Sequence, residues 1–152
     1  MGNIDGRSKF HGGYLYVKTD KPFYYPGDKV LGKIYIRAET LLEASTLELR
    51  IKGKEKCSYW YDHTEHYTDG DGNRRTRTHR RKASYHHNIM DYRAICFTFQ
   101  GPLNPGDFTI PFEFDLQPQL PASIMWARKD HRDKPKAQVK YSVKARLQTI
   151  HK

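Results

Sequence analysis

Apolar side chains recur at every second position in one short run after another, and Gly and Pro separate the runs. Phe108, Ile110, Phe112, Phe114 and Leu116 alternate with Thr109, Pro111, Glu113 and Asp115. Val139, Tyr141, Val143, Ala145 and Leu147 alternate in the same way with Lys140, Ser142, Lys144, Arg146 and Gln148. A period of two sends successive side chains to opposite faces of an extended strand, so each run predicts a strand with one buried face. Shorter runs repeat the pattern at Leu15 and Val17, at Ile34 and Ile36, at Leu47, Leu49 and Ile51, and at Ile95, Phe97 and Phe99. Pro26-Gly27, Gly101-Pro102 and Asn104-Pro105-Gly106-Asp107 supply the turns between them. Pro111 has no N–H for a ladder and marks its strand as an edge or a bulge. The one stretch with helical character, Glu39 to Ala44, is too short to hold itself. Many short strands and no long helix predict an all-β fold of two antiparallel sheets.

A chain of 152 residues is of ordinary size for one domain. Only 37% of its residues are apolar, and mean hydropathy is -0.88, so some of it must be solvated. Residues 1–13, rich in Gly and without a period, read as a flexible leader. Residues 62–88 read as a long polar, basic loop, and 14–150 as one domain. The net charge of +10 draws the protein toward acidic partners without choosing among them. The sequence has neither an apolar run long enough to span a membrane nor a signal-peptide core, so the expected location is cytoplasmic, with peripheral membrane attachment open. Cys57 and Cys96 are too few for a disulfide framework and read as reduced, small, buried side chains.

Catalytic and metal signatures are weak. Asp69-Gly70-Asp71-Gly72-Asn73 opens like a calcium loop, but Arg74 and Arg80 stand where such a loop needs its glycine and its bidentate glutamate, so a polar hairpin turn is expected. His63, His66, His79, His86 and His87 lack the paired cysteines or helical spacing of a zinc site and read as solvated. Cys96 lies in an apolar alternation, which favours a packed thiol over a nucleophile. No nucleophile elbow, phosphate loop or dinucleotide fingerprint is present. No enzyme activity, cofactor or metal is expected. The strongest candidate site is the run of Arg74, Arg75, Arg77, Arg80, Arg81 and Lys82, a contact for a polyanion or an acidic partner. Tyr59, Trp60, Tyr61, Tyr67 and Tyr85 flank it, which gives a nucleic-acid platform as the competing reading, although sheet packing is preferred for those rings. Gly2 in Met1-Gly2-Asn3-Ile4-Asp5-Gly6 is a candidate for lipidation, with Gly6 where the stricter pattern has Ser or Thr.

Four segments resemble the N-terminal domain of the arrestin fold, closest to the α-arrestin type. These are Tyr25-Pro26-Gly27-Asp28 with Val30, Gly32 and Ile34; Gly53 through Trp60; Phe108 through Phe114 with Leu120-Pro121-Ala122-Ser123; and Val139 through Ala145. In order they span most of residues 14–148. The resemblance implies an immunoglobulin-like β-sandwich and a non-enzymatic adaptor or scaffold that binds protein partners, such as membrane cargo or trafficking machinery. It also implies work in sorting, endocytosis or signalling, while the basic run with Gly2 leaves an acidic membrane surface open as a partner and nucleic acid as the less favoured one. Arrestins have two such domains, and this sequence matches one. By position the basic run would fall on the loop that faces the receptor, although its residues do not resemble that loop. The phosphate-sensing arginine of visual and β-arrestins is not matched, since Lys21-Pro22-Phe23 stands there, and no Pro-Pro-x-Tyr motif occurs. Phosphate-triggered activation is therefore not carried over.

Overall fold

The computed structural model describes residues 7–10 and 12–149, so Gly2 lies outside the described residues. Eight strands follow in order: β1 (Arg7–Phe10), β2 (Gly13–Thr19), β3 (Lys29–Ala38), β4 (Ala44–Thr68), β5 (Arg74–Thr98), β6 (Gly106–Asp115), β7 (Ile124–Ala127) and β8 (Lys136–Thr149). They form two four-stranded antiparallel sheets, ordered β1-β2-β3-β6 and β5-β4-β8-β7, with no helix among the described residues. The backbone divides into two compact units. The first holds the described residues through Lys52, Met90–Pro121 and those from Ser142 onward; the second holds Gly53–Ile89 and Ala122–Tyr141.

The first unit contains the packed sandwich. Along β3 the buried positions are Val30, Gly32, Ile34, Ile36 and Ala38, each separated by an exposed one. Leu15 from β2, Leu47, Leu49 and Ile51 from β4, and Phe112 from β6 complete the main cluster. Phe108, Ile110 and Phe114 share the face of Phe112 and pack on that cluster, so the expected phase of this strand is the observed one. Leu42 and Leu103 pair as an isolated bridge and join Ala38 and Ala44 in a second, smaller cluster. Pro111 lies on β6, an edge strand opposite Lys33, where a missing N–H leaves no buried partner unpaired.

Local chemistry fixes the corners. Between β2 and β3 the Tyr25–Asp28 turn is closed by Asp28 N–H donating to Tyr25 O (3.0 Å) and Tyr25 N–H donating to the Asp28 carboxylate (2.9 Å). Pro26 presets the first central dihedral, and Gly27 takes φ 86°, which a side chain would oppose.

Four expectations are corrected. Within the expected leader, Arg7–Phe10 form a strand, because β1 pairs with β2 (Arg7 opposite Tyr16, Phe10 opposite Gly13) and Phe10 packs against the core. One apolar side chain beside a tight connection was too short a pattern to show a period. The loop expected over 62–88 is a hairpin, with strand running to Thr68 and resuming at Arg74. Its Thr, Tyr, His and Arg side chains suit a pleated surface, but with both faces solvated there is no apolar alternation to read. In β5 the inward set is not Ile95 and Phe97, which are exposed, but Met90 and Cys96, with Phe99 also packed on the core. β5 ends at Thr98, so Phe99 lies beyond the strand and outside its alternation. Cys57 is exposed rather than buried, whereas Cys96 is half-buried and burial pushes its thiol pKa up.

Candidate functional site

The second unit concentrates the charge. It has fourteen Lys and Arg against seven Asp and Glu, a net +7 of the chain's +10. Both buried clusters belong to the first unit, and within 54–89 and 122–141 every residue is exposed or half-buried. Polar contacts therefore hold this unit together where burial does not.

Asp69 closes the hairpin. Its carboxylate accepts from the N–H groups of Asp71 (3.1 Å) and Asn73 (2.8 Å) and from Arg75 Nε (2.7 Å), while Asp69 N–H donates to Asn73 O (2.9 Å). Arg75 first, and then the backbone donors, hold the Asp69 carboxyl below the usual carboxylate range. Gly72 takes φ 84° here, which completes the polar turn expected for 69–73. Down the hairpin Thr76 meets His66 and Thr78 meets Thr64, each at 3.3 Å. At its base Trp60 N–H donates to Asp133 O (2.7 Å), and Arg132 pairs with Asp62.

Strand alternation divides the six basic residues into two sets. Arg75, Arg77 and Arg81 lie on the face that carries Tyr61, His63, Glu65 and Tyr67, where Arg81 pairs with Glu65 and the rings of Tyr59, Tyr61 and His63 follow one another at 6.1 and 6.4 Å. His63 and His79 also approach Glu65, at 3.4 and 3.9 Å. Arg74, Arg80 and Lys82 lie on the opposite face with Thr76 and Thr78, and Arg80 donates to Arg132 O and stands 3.7 Å from Asp133. Arg75, Arg80 and Arg81 are thus engaged internally. Arg74, Arg77 and Lys82 are exposed and make no ion pair among the described residues. The run read from sequence as one patch is two surfaces sharing a strand.

The flanking tyrosines do not pack into a core: Tyr59, Tyr61, Tyr67 and Tyr85 are exposed, and Tyr85 stacks on His87 (6.4 Å, 14°). The histidines do not join Asp, Glu or Cys in a group able to hold a metal ion among the described residues. Sequence reasoning missed Ile124, Met125 and Trp126, which are 52%, 72% and 50% exposed on β7, the outer strand of its sheet. Their signal was present as four adjacent apolar residues without alternation, Ile124 to Ala127, followed at once by Arg128 and Lys129.

Residues 14–152 match the model of the family described as arrestin (or S-antigen), N-terminal domain. Arrestin domain-containing protein A of Dictyostelium discoideum is 24% identical over 151 residues, which are 98% of this chain and 25% of that protein. The chain thus spans about a quarter of the length of this curated relative. Among solved structures, the sporulation control protein Spo0M from Bacillus subtilis is similar with a TM-score of 0.46 and 17% identity, over 88% of this chain and 41% of that one.

Proposed function

Because this chain belongs to the arrestin family through an N-terminal arrestin domain, and arrestin-family proteins are non-enzymatic adaptors for protein interactions, we propose that it is a cytoplasmic adaptor that gathers membrane-protein cargo for sorting, endocytosis or signalling. Its hairpin (β4–β5) presents cations to acidic, phosphorylated segments of that cargo. The observation that supports this reading is the net +7 of the second unit, with Arg74, Arg77 and Lys82 exposed and unpaired among the described residues. Cations not consumed by internal carboxylates can exchange water for a phosphate at little cost, whereas Arg75, Arg80 and Arg81 must first release a partner. The first three are therefore the contacts that matter most.

Fluorescence anisotropy with an acidic peptide, unphosphorylated and doubly phosphorylated, tests this. The phosphorylated peptide binds more tightly, and changing Arg74, Arg77 and Lys82 to Ser weakens it about three- to a hundredfold, as three exposed charge pairs would. The corresponding change of Arg75, Arg80 and Arg81 weakens it less. Equal affinity for both peptides, or tighter binding of a single-stranded RNA of matched charge that outlasts physiological salt, contradicts the proposal.

A further inference from the structure

Ile124, Met125 and Trp126 expose half or more of their surface in consecutive positions of a strand. Alternation sends Ile124 and Trp126 to one face of β7 and Met125 to the other, so apolar surface emerges on both sides of one edge. On the side of Ile124 and Trp126 the register adds Val139 and Ala137 from β8, directly opposite them. Ala137 and Val139 are half-buried and extend the apolar surface of Ile124 and Trp126 on that side, and apolar surface grouped in this way marks a contact where scattered exposure does not.

The charges around the patch are one-sided. Neither β7 nor β8 contains an acidic residue. The connection between them holds Arg128, Lys129, Arg132 and Lys134 against Asp130 and Asp133. Both acids are occupied, Asp130 by Arg128 at 3.9 Å, and Asp133 by His131 at 3.8 Å and Arg80 at 3.7 Å. Lys129, Lys134 and Lys136 make no ion pair among the described residues. Lys134 also holds φ 43°, a left-handed conformation in which Gly or Asn is the low-cost choice.

We infer that the β7–β8 hairpin is a docking surface for an anionic lipid bilayer, with Ile124, Met125 and Trp126 at the headgroup–acyl boundary and Lys129, Lys134 and Lys136 at the lipid phosphates. Two features select a bilayer over a folded partner. A rigid groove covers one face of a strand, whereas a fluid interface receives Trp126 and Met125 on opposite faces together, and tryptophan is the side chain that such an interface prefers. Strand addition is disfavoured because β7 is only four residues long, the usual protection of an exposed edge. The headgroup layer still holds water and phosphate oxygens for the outer N–H groups of β7, so docking at that depth leaves none of them stranded. Cations near an anionic leaflet then supply most of the affinity. The three lysines and Trp126 are distinct from Arg74, Arg77 and Lys82, and vesicles contain no cargo, so its test is independent of the adaptor proposal.

The experiment uses the whole chain carrying Trp60→Phe, which leaves Trp126 as the only tryptophan. It is mixed with phosphatidylcholine vesicles, with or without about 30 mol% phosphatidylserine, a typical anionic surface, and with brominated acyl chains as quenchers. Trp126 emission shifts to the blue and is quenched only with the anionic vesicles. Changing Lys129, Lys134 and Lys136 to Gln lowers partitioning about a hundredfold, and Trp126→Ala lowers sedimentation with the same vesicles about tenfold, with circular dichroism unchanged. Unquenched Trp126 on anionic vesicles, or partitioning indifferent to the three lysines, overturns the inference. So does a dimer in light scattering that Trp126→Ala dissociates while vesicles bind nothing; that result assigns the patch to a second copy.

Discussion

A methyl group added at Gly32 has nowhere to go. A Cβ there would stand 2.4 Å from the ring of Phe112 and 2.5 Å from the carbonyl oxygen of Lys18, and the second of these is backbone that cannot swing aside. Gly32→Ala should therefore destabilise by about 1–3 kcal/mol, the usual cost of overpacking, read as a lower midpoint in urea. Phe112 is the ring that Gly32 admits, opposite it in register and 7% exposed. Phe112→Ala leaves a cavity in the main cluster and should cost about 3–5 kcal/mol. The cysteines give a third check. Cys57 is exposed, whereas Cys96 is half-buried with its thiol pushed up by desolvation, so a thiol reagent at pH 8 should label Cys57 faster than Cys96. Equal labelling rates in the native protein would contradict the placement of Cys96.

Strands with one buried face were legible because burial writes a period of two into the sequence. Ile34, Ile36, Leu47, Leu49, Ile51 and Phe112 are buried where alternation places them. β5 shows the limit of that signal. Ile95, Phe97 and Phe99 alternate faultlessly, yet the first two are exposed while Met90 and Cys96 face the core, and Phe99 packs on it from beyond the end of β5; a period of two in one segment does not say which of its faces is buried. The β4–β5 hairpin was illegible for the opposite reason. With no buried face its pairing rests on Asp69, on Thr64 with Thr78, and on His66 with Thr76, none of which leaves a hydrophobic pattern. Of the candidate site, the six cations were found from their density, but their division between faces required the register. The same reasoning predicts that the hairpin tip contributes little to stability. Replacing 66–76 by a two-residue turn removes no buried side chain and shortens a loop at slowly varying entropic cost, so the melting temperature should move by only a few degrees. A collapse of the melting transition would show that the hairpin is integral to folding.

At the scale of the molecule, two ion pairs of this net +10 chain join neighbouring strands of the packed unit. Asp91 accepts from Arg50 Nε and Nη2 at 2.7 and 2.5 Å, and Lys52 stands 3.1 Å away. Arg50 first, and then Lys52, hold the Asp91 carboxyl far below the usual carboxylate range, and Arg37 does the same, less strongly, for Asp107. Both carboxyls have a lower pKa folded than unfolded. Their stabilisation is thus fully present above about pH 4, the unfolded value, and is lost as pH falls toward and through the folded values. The melting temperature should fall steeply below about pH 4, and Asp91→Asn should lower it at pH 7 while flattening the acid limb; an acid limb unchanged in that variant would remove Asp91 from the explanation. The proposed division of labour is a packed sandwich that supplies stability and a basic second unit, without a buried core, that binds partners. Amide hydrogen exchange, with and without a phosphorylated acidic peptide, addresses both halves at once. In the free protein, amides of Ile34–Ala38 and Leu47–Ile51 should exchange only through global unfolding, while those of 62–80 exchange at least a hundredfold faster. On adding peptide, protection should rise in 62–82 and stay constant in β2, β3 and β6. A hairpin as slow as the core in the free protein, or peptide protection falling on β2, β3 and β6, would contradict that division.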